Sequence, residues 1–217
     1  MRVLTLGTSR TAPLKILAIG AHSDDIEIGC GGSLLRLIEE NPGCAVRWVV
    51  LSGNDARARE ARASATDLLG NVARPEIIVG EFKDGFFPYQ GAEIKAFFEE
   101  LKTGFVPDII FTHRRDDAHQ DHRVVAELTW NTFRDHFILE YEIPKYDGDL
   151  GAPNVFICVS EAHCQRKVQA LLCHFASQRT KHWFTADLFL GLLRLRGMEA
   201  NSPTTYAEGF YCRKAVI

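Results

Sequence analysis

Apolar runs and apolar stripes alternate along this chain. Residues 14–21, LKILAIGA, are nearly unbroken in apolar character, as a strand buried on both faces of a parallel sheet would be. The glycine-rich GCGG at 29–32 then leads into a helix over 33–40, where Leu34, Leu35 and Ile38 share one face and NPG stops it. The same reading places strands at 45–51, 76–82, 108–113, 137–143, 155–159 and 206–217. Between them it places helices from Asp55 (as N-cap) to 69, at 92–103, at 121–135, after Ser160, and at 186–196. In the helix at 92–103, Ile94, Phe97, Phe98 and Leu101 recur at helical spacing. Alternating strands and helices predict an α/β fold, a mostly parallel sheet with helices on both faces.

Composition narrows this picture without changing it. The 217 residues suit one domain over 13–217, preceded by a short arm at 1–12. A net charge of −3 with scattered Lys and Arg gives no field for a nucleic-acid backbone. No apolar run is long enough to span a bilayer, and the first residues lack a signal-peptide core, so a cytoplasmic protein is expected. The six cysteines have no CxxC spacing and read as reduced thiols. Oligomeric state stays open, with Trp183 and Phe184 suited to packing or to a subunit contact.

The chemistry gathers in two places. AHSDD (21–25) follows the first strand, and HRRDDAHQDH (113–122) follows the fourth. Ligands of open parallel sheets bind beyond the carboxyl ends of the strands, so both clusters belong on one edge. His22 and Asp25, three apart, can face one way as metal ligands, leaving Asp24 beside the ion as a free general base. His119 and His122 repeat the spacing; either can complete the shell while the other faces substrate. Imidazole with carboxylate suits Zn2+, and equally Fe2+, Mn2+ or Co2+. The bland alternatives are an Asp24 helix cap and a self-neutralised loop in which Arg114 and Arg115 balance Asp116 and Asp117. Arg57 and Glu140 are weaker candidates for substrate contact, as are Lys145 and Asp149. Phe86, Phe87 and Tyr89 could wall a sugar or plug the core, and His163, His174 and His182 read as structural or surface residues.

AHSDDIEIGCGG and DDAHQDH together resemble the PIG-L/LmbE-like zinc-dependent de-N-acetylases, marked by A-H-P-D-D after the first strand and a later H-P-D-H. The helix RAREARASATDLLG and the segments PKYDGDLGAPN, LRLRGMEA and YAEGFYCRK extend the likeness over most of the chain. The resemblance implies a Rossmann-like LmbE fold and hydrolysis of an N-acetylglucosamine-type acetamide to acetate and a free amine. It implies His22, Asp25 and His122 as zinc ligands and Asp24 as base. It also implies His119 at the oxyanion or leaving amine, Asp121 adjusting a histidine, and Asp117 as a further acidic position near substrate. Ser23 and Gln120 replace the two usual prolines, which loosens the loops without removing a functional group. The rivals are a nucleotide- or cofactor-binding Rossmann protein without catalytic metal, a two-metal phosphoesterase, and a sugar-binding relative without turnover.

Overall fold

The apolar run after Pro13 becomes strand β1 (Lys15–Gly20), buried from Ile16 onward. The computed structural model describes residues 12–70 and 72–216, so the expected arm lies almost wholly outside the described residues. After β1 come α1 (Asp25–Glu40), β2 (Ala45–Val50), α2 (Asp55–Leu68) and β3 (Arg74–Val79). The middle of the chain supplies α3 (Gly91–Leu101), β4 (Ile109–His113), α4 (Gln120–Thr132) and β5 (Ile138–Tyr141). The last elements are β6 (Val155–Val159), α5 (Glu161–His174), α6 (Ala186–Glu199) and β7 (Tyr206–Tyr211).

The strands form one sheet in the order β3-β2-β1-β4-β5-β7-β6, parallel except where β7 runs against both neighbours. Alternate side chains of each strand feed two cores. Ile16, Ala18, Val46 and Trp48 meet α1, α2, α5 and α6, while Leu17, Ile19, Val49 and Ile110 meet α3 and α4. Helices therefore cover both faces, as the alternation predicts. Strand order reverses between β1 and β4, a topological switch point.

The observed elements depart from the expected ones in a few places. Strand β3 begins and ends earlier than 76–82, and Pro75 is tolerated because β3 is an edge strand. Asn54, not Asp55, caps α2 by accepting the Arg57 amide at 3.0 Å. The larger difference is α1, which starts eight residues earlier than expected and runs through the glycines. It kinks at Cys30 (φ −146°, ψ 15°). Beyond the kink, the buried Glu208 carboxylate of β7 accepts the Gly32 and Ser33 amides at 2.9 and 2.7 Å, capping the second half from outside the helix. Lys167 of α5 bonds both Glu208 and the Ile28 carbonyl, each at 2.6 Å.

The helix keeps Gly29 because a neighbouring ring crowds it. A Cβ at Gly29 would stand 2.2 Å from the Tyr141 ring. That ring is pinned by its hydroxyl, which donates to the Ile19 carbonyl at 2.6 Å. Gly29→Ala is accordingly expected to destabilise by about 1–3 kcal/mol through overpacking. Denaturant unfolding checks this: the midpoint falls while the slope is unchanged.

Candidate metal centre

The two polar clusters emerge side by side because β1 and β4 are neighbours, paired Ile16 with Ile109 and Ala18 with Phe111. His22–Asp25 form the turn from β1 into α1, and His119–His122 form the entry to α4. Three donors expected to meet do so. His22 Nδ1 lies 3.2 Å from His122 Nε2 and 3.4 Å from Asp25 Oδ2, and His122 Nε2 lies 3.6 Å from Asp25 Oδ1. All three residues are buried.

Outer hydrogen bonds fix which nitrogen of each ring faces inward. His122 Nδ1 lies 3.0 Å from Asp117 Oδ2; a carboxylate only accepts, so Nδ1 carries the proton and Nε2 keeps its lone pair. His22 Nε2 faces Asp121 Oδ2 at 3.2 Å and Asp84 Oδ1 at 3.1 Å, which leaves the Nδ1 lone pair pointing inward. Two lone pairs and a carboxylate thus lie within 3.2–3.6 Å of one another. Something positive belongs there. A tetrahedral ion with bonds of ~2.0–2.2 Å holds its donors about 3.3–3.6 Å apart, so this set fits a divalent cation of the zinc type.

Protonation follows the same logic. Burial works against a charged His22, but Asp25 and the bonds to Asp121, Asp25 and Asp84 outweigh it and hold its pKa well above the ordinary imidazole value. Burial, then repulsion from His113, pulls His122 down to about 4. Burial opposes ionisation of Asp25 as well, yet His122, His113 and His22 keep its carboxyl well below the usual range.

Asp24 stands apart from this set. It occupies the N-cap position of α1 but makes no capping bond, so the helix-cap alternative fails. Its Oδ1 instead accepts from Arg57 Nη2 at 2.8 Å, which brings Arg57 into the site. Burial raises the Asp24 pKa and Arg57 opposes the rise. His119, half-buried, accepts the Asp121 amide on Nδ1 at 3.2 Å, so its proton sits on Nε2.

Other expectations change. Asp117, read as a substrate-side acid, is buried and turned to His122 and to Lys145 Nζ at 3.1 Å. Glu140 is buried with its oxygens on the Arg115 amide and the Trp130 indole, away from any open surface. Asp121 is fully buried, accepting the Gly85 amide at 2.6 Å and the Phe87 amide at 3.2 Å besides facing His22. Of the aromatic trio, Phe87 is core, while Phe86 and Tyr89 are exposed. Two site residues had no role in the sequence reading. His113 is fully buried, lies 3.1 Å from Asp25 Oδ2 and stacks on His122 with ring centroids 3.9 Å apart. Asp84 joins His22 to Arg57, 3.6 Å from Nη1. The candidate metal-holding groups among the described residues overlap: His22, His119 and His122; Asp25, His113 and His122; His22, Asp84 and Asp121.

Residues 17–133 match the PIG-L family model, described as GlcNAc-PI de-N-acetylase. The chain is 34% identical over 172 residues to the uncharacterized deacetylase YaiS of Escherichia coli, covering 73% of this chain and 89% of that one. GalB, the 4-carboxy-2-hydroxymuconate hydratase of Pseudomonas putida, superposes with a TM-score of 0.77 at 18% identity, covering 94% of this chain and 98% of that one. N,N'-diacetylchitobiose deacetylase from Pyrococcus horikoshii superposes with a TM-score of 0.62 at 19% identity, covering 92% and 84%. These two structures share the fold, and since one is a hydratase, fold alone does not select the reaction. The family match, which spans both the β1 turn and the entry to α4, together with the YaiS alignment, establishes that the chain belongs to the PIG-L family of deacetylases.

Proposed function

We propose that the protein hydrolyses the acetamide of an N-acetylglucosamine-type sugar, releasing acetate and a free amine, with a divalent metal held by His22, Asp25 and His122. The observation that carries this reading is the convergence of two inward imidazole lone pairs and the Asp25 carboxylate, with the uncapped Asp24 carboxylate beside them. When bound, zinc or a similar ion supplies Lewis acidity to the acetyl carbonyl and lowers the pKa of coordinated water toward ~7.

The chain's own groups do the rest. Asp24 accepts the proton of the attacking water, and Arg57, bonded to its Oδ1, aims the carboxylate and keeps it available as a base. His119, with its proton on Nε2, donates to the developing oxyanion and then serves the departing amine. Asp117 and Asp121 act one step back, holding the His122 and His22 rings in the required tautomers. The nucleotide-binding alternative would set Asp24 and Asp25 on a ribose, but both carboxylates are buried and engaged, Asp24 by Arg57 and Asp25 by the His22 amide and His113. No described helix is long and apolar enough to cross a membrane.

The test is acetate release from N-acetylglucosaminyl compounds, measured before and after the metal is stripped and again after zinc is added back. Release that disappears with chelation and returns with zinc supports the proposal. Release indifferent to chelation removes the metal from it, and no release from any such sugar removes the reaction.

A further inference from the structure

Beside the centre lies a groove of about 340 Å³ between the segment after β5 and the segment before α6, with Tyr146, Leu150, Trp183 and Leu188 in its walls. This is the lower end of the ~300–1,000 Å³ typical of small-molecule sites. The groove's edge is tied to the outer partners of the centre. Lys145, at its edge, reaches Asp117 Oδ2 at 3.1 Å, and Asp117 holds the His122 ring. Asp149 accepts the Ala118 amide at 2.7 Å, tying the same segment to the second cluster. On the other wall Lys181, next to His182, is near enough to Asp24 to favour its ionised form.

The lining chemistry names the occupant. Tyr146 is 70% exposed and Leu150 42%, and both line the same groove as Trp183 and Leu188, so their apolar surface is contiguous. The Tyr146 and Trp183 rings meet at 86° with centroids 6.4 Å apart, making a corner of two aromatic walls. No carboxylate or amide side chain lines the groove, so the bidentate acceptors that sugar hydroxyls need are missing from the described lining. Its charged and hydroxyl groups are engaged, Lys145 with Asp117 and Asp149 and His182 Nδ1 with the Tyr146 hydroxyl at 3.2 Å, while the buried Trp183 indole N–H has no partner among the described residues. Those ties also hold the walls before any ligand arrives.

We propose that this groove is a specificity subsite for an apolar group, an aryl or short alkyl aglycone, carried by the acetylated sugar whose hydrolysis is proposed above. It rests on that reading for the reaction but not for the binding.

The experiment compares kcat/KM for acetate release from the methyl and phenyl glycosides of N-acetylglucosamine and from N,N'-diacetylchitobiose, using the zinc-loaded full chain. The phenyl glycoside is expected to exceed the methyl one by about tenfold or more, the worth of burying one ring. Tyr146→Ala and Leu150→Asp, both at exposed positions, should each bring that ratio close to one. Equal rates in the wild type, a ratio that survives both substitutions, or a chitobiose advantage that Tyr146→Ala abolishes would each overturn the subsite. Calorimetry with phenyl glucoside, which has no acetamide, separates this from the reaction. Binding weakened by both substitutions upholds the groove even if no acetate is released; no binding to the wild type overturns it.

Discussion

Replacing Asp24 with Asn is expected to lower kcat for acetamide hydrolysis by about 10²–10⁴-fold, the usual worth of a positioned general base, while bound metal stays stoichiometric. Asn keeps the shape of the side chain and an oxygen for Arg57, whose Nη2 lies 2.8 Å from Asp24 Oδ1, but it accepts no proton from water. Asp24→Ala should lose activity to a similar degree and some stability besides. It strands a guanidinium whose Nε already has no hydrogen-bond partner among the described residues. Loss of a capping bond adds nothing, since Asp24 makes none. Steady-state kinetics and elemental analysis on the same preparation decide the matter. An Asn variant with near wild-type kcat means that another group takes the proton.

The second large effect belongs to Asp25. Its carboxylate is the anion among three imidazoles, 3.1 Å from His113, 3.4 Å from His22 and 3.6 Å from His122. Asp25→Ala should weaken zinc binding by well over 100-fold, measured by competition with a chromophoric chelator. Asp117→Asn provides the scale. Of the proposed ligands it touches His122 alone, at the far nitrogen, besides bonding Lys145 and the His119 amide, so it should cost about 10–100-fold, as outer partners of metal-binding histidines do. Equal losses in the two variants would mean that Asp25 supports the site electrostatically without touching the ion.

Much of this was legible in the sequence because it depends on local pattern. The run at 14–21 marks β1, the clusters mark two strand ends, and three-residue spacing brings His22 toward Asp25 on a single turn. What escaped depends on distant partners. The glycines at 29–32 argue against a helix by intrinsic propensity. They are helical because Glu208, some 175 residues further on, caps the kink and because Tyr141 leaves no room for a Cβ. His113 ends an apolar strand and looks like part of it; only the β1–β4 pairing turns it toward Asp25. The ends of the two clusters carried the proposed ligands, but the direction of Asp117 and Glu140 was hidden. A carboxylate in a loop or near a strand end faces substrate or core according to partners such as Lys145 and Trp130 that sequence spacing does not reveal. Asp84 lay in a stretch read only as turn, and its role depends on the fold bringing His22 to it.

Anomalous scattering at the zinc edge from crystals of the zinc-loaded protein tests the centre most directly. A single strong peak is expected within bonding distance, about 2.0–2.2 Å, of His22 Nδ1, His122 Nε2 and an Asp25 oxygen. A peak instead on the far side of the His22 ring, among Nε2, Asp84 and Asp121, or no peak near any of these residues, would contradict it.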